Sequence, residues 1–440
     1  MSRRITHLPK NDRSLGWSAI LPKRPPRPAL QGDQTADIVV IGAGFAGLGA
    51  ARRLAELNPG LDIALIEADL VGENASGRNS GFGIDLPHNT GSSMEELARG
   101  RAYLRLSRAG ISALRDTVTR HQIDCDWSED GKFHTASSDR GRREVLVPTT
   151  EELDRLGESY RWLDREACAA RLGTGHFAAA VYTPGTVLLN PSALCRGLAS
   201  ALPENVRLYE NSPVIEADFG PVITLKTPQG SLRAAKAIIA VNGFAMRFGF
   251  WKGRLLNFAA HASLTRPLTS EEQAKIGNIA PWGTTPANAF AGVTLRYTND
   301  RRILVRQNIH FQPSMQVSPA LQARVRRGHQ RLFETLFPAL PGVTMEHSWT
   351  GFICLSRNGT PGFGQMAPNI WSAVCQNAVG VTKGTMSGRM AATMALGAED
   401  PLLADMISLG QPNAVPPRPF LDIGVRAKFA WEIFTNRHEA

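Results

Sequence analysis

The stretch from Ile38 to Glu67 constrains this chain more than any other. Ile38-Val39-Val40-Ile41 leads into Gly42-Ala43-Gly44-Phe45-Ala46-Gly47. A helix-forming segment then runs to Leu57, and Ile63-Ala64-Leu65-Ile66 closes on Glu67. Strand, glycine turn, helix, strand and acid follow in the order of a βαβ unit that holds a dinucleotide. Gly42 permits the tight turn, Gly44 lets backbone approach a pyrophosphate, and Gly47 lets helix and strand pack closely. The first N–H groups of the helix, Phe45 and Ala46 among them, are free to face phosphates, and the helix dipole favours that charge. Glu67, with Ala68 beside it, stands where an adenosine ribose would be gripped. A lone GxGxxG would be weak; five parts in order make a nucleotide site the expectation.

Size and charge narrow the rest. A chain of 440 residues has length for two or three domains. The net charge is +10, but no block of six like charges occurs, and the densest clusters are Arg140-Arg142-Arg143 and Arg324-Arg326-Arg327. This reads as a solvated basic surface, with no nucleic-acid partner expected. The five cysteines show no CxxC spacing, which argues against a metal site and for reduced thiols in a cytoplasmic protein. The basic N-terminus is not followed by an apolar run, so no secretory leader is expected. The two long uncharged stretches, 175–195 and 277–295, are broken by prolines and polar residues and do not read as membrane spans. Residues 426–434 form a short basic amphipathic segment. It reads as a docked C-terminal helix, with peripheral contact to a membrane as the alternative.

Residues 1–35 are proline-rich and read as an irregular arm. Periodicity predicts helices over 94–122, 151–172 and 319–336. Strands are expected at 206–209, 222–225 and 237–241, the last ending in Asn242-Gly243, where a parallel strand would meet a ligand. Residues 293–298 and 302–309 read as a hairpin turning at Asn299-Asp300. A last strand at 371–375 leads through a loop at 377–382 into a helix over 383–396. There is no second GxGxxG, so no second nucleotide is expected.

Four separated segments match one family pattern. They are Asp37 to Glu67; Ala75-Ser76-Gly77-Arg78-Asn79-Ser80-Gly81; Trp349-Thr350-Gly351 with Asn358-Gly359-Thr360-Pro361; and Gly380-Val381-Thr382 with Ser387-Gly388-Arg389. Together, over residues 16–400, the chain resembles the FAD-dependent amine oxidoreductases of the D-amino-acid-oxidase superfamily, of the γ-glutamylputrescine oxidoreductase and L-pipecolate oxidase type. The resemblance implies a discontinuous α/β, Rossmann-like FAD domain over 36–92, 182–244 and 346–400. It also implies an α+β substrate domain on an antiparallel sheet over 93–181 and 245–345, with 401–440 as an extension. It places Val214 at adenine and Gly380–Thr382 at the flavin pyrimidine edge, where a helix start stabilises the negative charge of reduction. Ser76, Arg78 and Asn79 can donate to phosphate or flavin oxygens, while Ser80 and Gly81 have little bulk beside a flat ring. Three departures stand out. Ser80 replaces a usual glycine. Ala378-Val379-Gly380 stands where Gly-His-Gly is common. Gly351 stands where covalent relatives carry a tethering cysteine, so FAD is expected to bind non-covalently.

Amine oxidation by flavin needs few acid–base side chains, because the cofactor does the hard chemistry and the protein orients and desolvates. A carboxylate-bearing substrate would call for an arginine fork. Arg306, mid-strand in the hairpin and sharing a face with Arg302 and Leu304, is the first candidate; Arg254, Arg296 and His261 are weaker ones. Lys383 is a candidate for assisting oxygen reduction, and Asp85 and His88 for lining the entrance. The expected activity is oxidation of a CH–NH group, giving an imine that hydrolyses, with oxygen or a quinone as acceptor. The competing readings are an oxygen-insensitive dehydrogenase, a flavin-dependent tRNA-modifying protein and a non-enzymatic flavin binder.

Overall fold

The computed structural model of the chain describes residues 3–10, 12–86 and 94–439. The first apolar run becomes strand Gly32–Ile41, paired in parallel with Ile63–Ile66 on one side and Gly230–Ile239 on the other. Val206–Tyr209 extends the sheet past Ile63–Ile66, and Ile370–Val374 pairs with the end of Gly230–Ile239, both parallel. These strands are covered on both faces, which explains continuous apolar runs in place of alternation. Val40 and Leu65 enter one core, and their neighbours Val39 and Ala64 enter the other. Helices Phe45–Leu57 and Thr385–Leu396 cross on the first face. Glycines allow the crossing: a Cβ on Gly388 would lie 1.8 Å from the Ala46 oxygen. The Ser387-Gly388-Arg389 segment therefore serves helix packing.

A second sheet of eight strands runs from Met345–Ser356 at one edge through Leu255–Thr265, Ile303–Phe311, Thr294–Tyr297, Trp282–Pro286, Lys132–Ala136 and Ala179–Thr183 to Arg161–Leu163. It is antiparallel, as expected, except where Trp282–Pro286 runs parallel to Lys132–Ala136. Those two strands lie far apart in sequence and are not joined by a hairpin, so nothing forces them antiparallel. The hairpin of Thr294–Tyr297 and Ile303–Phe311 is present, and helix Pro319–Leu336 packs beside it through Val325, His329 and Phe333.

Several boundaries move. The expected helix over 151–172 is two helices, Val147–Leu156 and Arg165–Leu172, split by strand Arg161–Leu163. Gly157 ends the first at φ 75°, a left-handed cap that periodicity alone overlooks. The boundary at 346 cuts a strand: Met345–Ser356 is continuous and belongs to the second sheet. The boundary at 93 separates helix Met94–Arg120 from its own layer. That helix gives Ala102, Leu106, Ile111 and Leu114 to the core shared with Phe45–Leu57. The arm is not irregular throughout, because Arg3–Arg4 pairs with Glu216–Phe219 and Gly32 already opens the central strand. The extension holds helices Pro401–Ser408 and Phe420–Thr435.

Candidate active site

A cleft opens at the carboxyl ends of the parallel strands, where ligands bind in such sheets. Its empty space is ≈ 1200 Å³, the open mouth included. Gly42, Gly44, Glu67, Ala68 and Ser76 line one part, and Arg78, Val214 and Asn242 another. Gly42 has φ 98°, which only glycine adopts readily, and a Cβ there would meet the Ala240 oxygen at 2.8 Å. A Cβ on Gly47 would lie 1.7 Å from the Gly42 oxygen, so helix and turn touch as the motif requires. Phe45 and Ala46 are buried in the first turn behind it.

Gly44 departs from the simple reading. Its nearest neighbour is Ser76 Oγ, 2.5 Å from where a Cβ would stand. That hydroxyl accepts a hydrogen bond from the Phe45 N–H at 3.1 Å. Helix start and Ser76 loop therefore form one cradle, with donors suited to an anion. Glu67 is 8 % exposed; it accepts from the Ala43 N–H at 2.8 Å and the Asp69 N–H at 3.2 Å, and burial raises its pKa. It thus braces the glycine turn as well as facing the cleft.

Asn257 was not legible in the sequence. It lies in the apolar run Leu255-Leu256-Asn257-Phe258, is 2 % exposed, lines the cleft, and neither end of its amide has a partner among the described residues. Leaving such a group unmet costs on the order of 1–3 kcal/mol. A ligand offering both a donor and an acceptor, as FAD does, relieves that cost, and with the phosphate cradle the site fits FAD. Thr350, of the expected Trp349–Gly351 segment, lines the cleft, and Phe352 from the same edge strand, with His7 and Lys10 from the arm, is among the lining residues that sequence reasoning did not name.

Other expected contacts are used by the protein itself. Arg78 donates from Nε to the Glu73 oxygen at 2.6 Å and from Nη1 to the Thr350 oxygen at 2.9 Å, and pairs with Asp12 at 2.9 Å. Burial works to raise the Asp12 pKa, but hydrogen bonds from Ser14 and the charge of Arg78 prevail and hold it at about 2. Asn79 donates to the Ser76 oxygen at 2.6 Å and accepts from the Gly81 N–H at 2.8 Å. These bonds stiffen the loop that presents Ser76 and Ser80. Gly81, at φ 79°, makes room for Arg296 and the Leu189 oxygen, each 2.2 Å from a built Cβ, and not for a ring. Gly351 sits on Arg78, whose oxygen is 3.1 Å from a built Cβ, and carries nothing that could tether a flavin.

Residues Gly380–Gly384 form a π-helical turn, so the regular helix starts at Thr385 and not at Lys383. Thr382 Oγ1 donates to the Ile84 oxygen at 2.8 Å, which ties this turn to the Ser76–Gly81 loop region. Gly380, Val381 and Thr382 do not line the cleft itself. Lys383 is 1 % exposed, with Nζ 4.8 Å above the Tyr103 ring, and burial lowers its pKa to about 8. It faces helix Met94–Arg120, away from the cleft lining. Asp85 does not sit at an entrance; it is 2 % exposed and accepts from Thr186 Oγ1 at 2.9 Å. His88 lies outside the described residues.

The arginine candidates separate cleanly. Arg254 is on the surface, donating to the Pro412 oxygen at 2.6 Å. Arg296 is a strut: it donates to the Leu189 and Gly81 oxygens and pairs with Asp126 at 3.3 Å, while burial lowers its pKa to about 10. Arg302 lies one residue before the strand and pairs at the rim with Asp300 and Glu346. Arg306 differs. It pairs in register with Ala262, itself opposite Trp349, so it shares the sheet face that meets Arg78 and Trp17. Its Nη1 donates to the Ala289 oxygen at 3.1 Å, no acid pairs with it among the described residues, and burial lowers its pKa to about 10. His261, next to Ala262, projects from the opposite face. Its Nδ1 lies 2.9 Å from Thr350 Oγ1, and burial, with His310 and His329 nearby, takes its pKa to about 3.

Glycine turn, anion cradle and cleft define a dinucleotide-binding protein with a second sheet closing over the site. Residues 37–394 match the FAD dependent oxidoreductase family, and the chain belongs to it. It is an FAD-dependent oxidoreductase. It is 26% identical over 409 residues to the γ-glutamylputrescine oxidoreductase of Escherichia coli, covering 87% of this chain and 88% of that one. It is 24% identical over 424 residues to the probable oxidoreductase OrdL of Haemophilus influenzae, covering 93% and 94%. The fold is similar to that of glycine oxidase from Geobacillus kaustophilus, with a TM-score of 0.69 at 20% identity, covering 84% of this chain and 96% of that one.

Proposed function

We propose that this enzyme oxidises the CH–NH group of an amine that also carries a carboxylate. Secondary or cyclic amino acids such as pipecolate, and γ-glutamyl polyamines, are the first candidates. The observation that carries the reading is Arg306, a half-buried guanidinium that meets no acid among the described residues, on the face that meets the Ser76–Gly81 loop. A charge held this way is costly until a counter-ion arrives, and the arginine fork matches a carboxylate in two parallel bonds. The name of the E. coli relative, whose substrate bears a glutamyl group, supports the same class.

When bound, FAD supplies a two-electron acceptor that takes hydride from the carbon beside the amine nitrogen. Gly42, Gly44 and Ser76 would hold its pyrophosphate, Glu67 its ribose, and Ala68 and Val214 its adenine. Asn242 and Asn257 would serve polar edges inside the cleft, Ser80 and the Gly380–Thr382 turn would meet only a flavin end that reaches beyond that lining, and Gly351 leaves the attachment non-covalent. Arg306 fixes the substrate carboxylate and thereby the direction of the reacting C–H. Trp349, 1 % exposed, helps keep water from that face. Among the described residues no acid pairs with Arg306; an ammonium substrate would lose its proton to solvent before hydride can leave the adjacent carbon.

The test is anaerobic bleaching of the yellow holoenzyme by pipecolate, proline, sarcosine and γ-glutamyl polyamines, each compared with its analogue lacking the carboxylate. The carboxylates should bleach at concentrations at least about tenfold lower. Equal potency of the decarboxylated analogues would remove Arg306 from the account. Reoxidation in air then separates an oxidase from a quinone-coupled dehydrogenase.

A further inference from the structure

The helix Phe420–Thr435 has two unlike faces. Val425 and Phe429 pack onto the second sheet, with the Phe429 ring stacked 4.9 Å from Phe258 and edge-on at 4.5 Å to Phe290. Both flanks are fastened. The Val415 N–H donates to the Gly253 oxygen at 2.8 Å, and the Glu439 carboxylate accepts from the Ser137 N–H at 2.9 Å and the Ser138 N–H at 3.2 Å. The inner face is therefore already satisfied, and the helix is not an element waiting to fold back.

Its outer face is apolar. At 100° per residue, Phe420, Ile423, Ala427, Ala430, Trp431 and Phe434 fall into one stripe, and all six are exposed. Phe420 is 69 %, Ile423 65 %, Trp431 65 % and Phe434 61 % exposed. Large side chains gathered in this way mark an interaction surface. Arg426 and Lys428 lie along its two edges, and Arg418 and Arg437 at its two ends. The acids turn away: Asp422 and Glu432 are both half-buried, Asp422 lying 3.4 Å from Arg418 and Glu432 taking a bond from Asn436. Exposed Arg140 reaches the end of the same helix, its Nη1 3.4 Å from the Thr435 oxygen.

We propose that this helix seats the enzyme on an anionic phospholipid surface, with its axis in the interface plane, the aromatic stripe in the acyl boundary and the basic edges on lipid phosphates. A second copy is a poorer occupant. A two-fold pairing of identical stripes would bring the basic edges of both copies together, with no exposed acid on the helix to meet them. The sheet face beneath carries Arg306, whose partner oxygen on Ala289 adjoins Phe290. The seated face is thus continuous with the substrate side of the enzyme. The inference does not depend on which amine is oxidised.

The experiment uses full-length holoenzyme and sedimentation with vesicles of phosphatidylcholine, alone or mixed with phosphatidylglycerol. Binding should require phosphatidylglycerol and weaken as salt is raised. Replacing Arg418, Arg426, Lys428 and Arg437 by Gln should lower the partition coefficient by more than about tenfold. Phe420→Ser with Trp431→Ser should lower it similarly. In both variants flavin content and anaerobic bleaching should match the parent, which shows that the fold is intact. Absence of binding to phosphatidylglycerol vesicles, or equal binding to phosphatidylcholine alone, would overturn the proposal. So would a parent dimer in light scattering that Phe420→Ser with Trp431→Ser converts to monomer. Should the serine variant not fold, the glutamine variant alone decides, since it changes only polar side chains.

Discussion

Replacing Arg306 by Met should move substrate affinity and fold stability in opposite directions. A bidentate charge-assisted pair to a carboxylate contributes about 3 kcal/mol, near the low end for two such bonds. Its loss should weaken the substrate by about 150-fold. In the ligand-free enzyme the same group is a burden. Burial holds its pKa at about 10, against the usual 12.5. A base whose pKa falls on folding penalises the folded state at every pH below the lower value, and the penalty fades only as pH climbs from about 10 toward 12.5. At neutral pH the full displacement would be worth roughly 3 kcal/mol, and about half of that once the solvent still reaching a half-buried side chain is counted. Met, similar in length and uncharged, should therefore raise thermal stability by about 1–2 kcal/mol. Stopped-flow reduction under anaerobic conditions gives the dissociation constant, and calorimetry of the holoenzyme without substrate gives the stability. An unchanged dissociation constant would dismiss Arg306 as the carboxylate ligand. A variant that unfolds at lower temperature would refute the account of an unpaired cation.

Gly44→Ala should strip flavin from the purified protein, because its Cβ would stand 2.5 Å from Ser76 Oγ; adding Ser76→Ala should restore part of the flavin absorbance. No recovery would mean that the nucleotide, and not Ser76, fills that space. His261 and His329, with pKa values lowered to about 3 and about 4 by burial, are neutral in the fold. The unfolded chain takes up their protons first as pH falls below about 6.5, so stability should drop by about 1.4 kcal/mol per pH unit for each histidine down to those values. His329→Gln should flatten the acid limb of a melting-temperature profile, and an unaltered limb would assign acid unfolding to other groups. Glu439→Ala should lower the melting temperature by removing the acceptor for the Ser137 and Ser138 N–H groups and the Ser138 hydroxyl, leaving three donors to compete for water; a melting temperature equal to the parent's would show that the C-terminus is not clamped there.

The nucleotide half was legible because its constraints are local. Gly42, Gly47 and Glu67 lie within one βαβ unit, and each is fixed by backbone geometry a few residues away. Helix Pro319–Leu336 was legible for the same reason, its inward stripe of Val325, Phe333 and Leu336 being interrupted only by His329. What the sequence hid depends on distant partners. Nothing near Asn257 marks it as polar lining, since only the fold brings the end of Leu255–Thr265 to the cleft. Arg296 and Arg306 look alike in sequence, ten residues apart around one hairpin turn. Leu189, Gly81 and Asp126 arrive from elsewhere to satisfy the first, whereas the second meets the Ala289 oxygen and, among the described residues, no acid. That asymmetry has a consequence for family reading. A motif names the loop that holds a cofactor, because phosphate and ring need the same backbone in every member. The residue that selects a substrate is defined by what the protein leaves unpaired, and it is found by counting partners in three dimensions. Transplanting the strand around Arg306 into a relative would therefore carry its specificity only if the relative also lacked an acid within reach of that guanidinium.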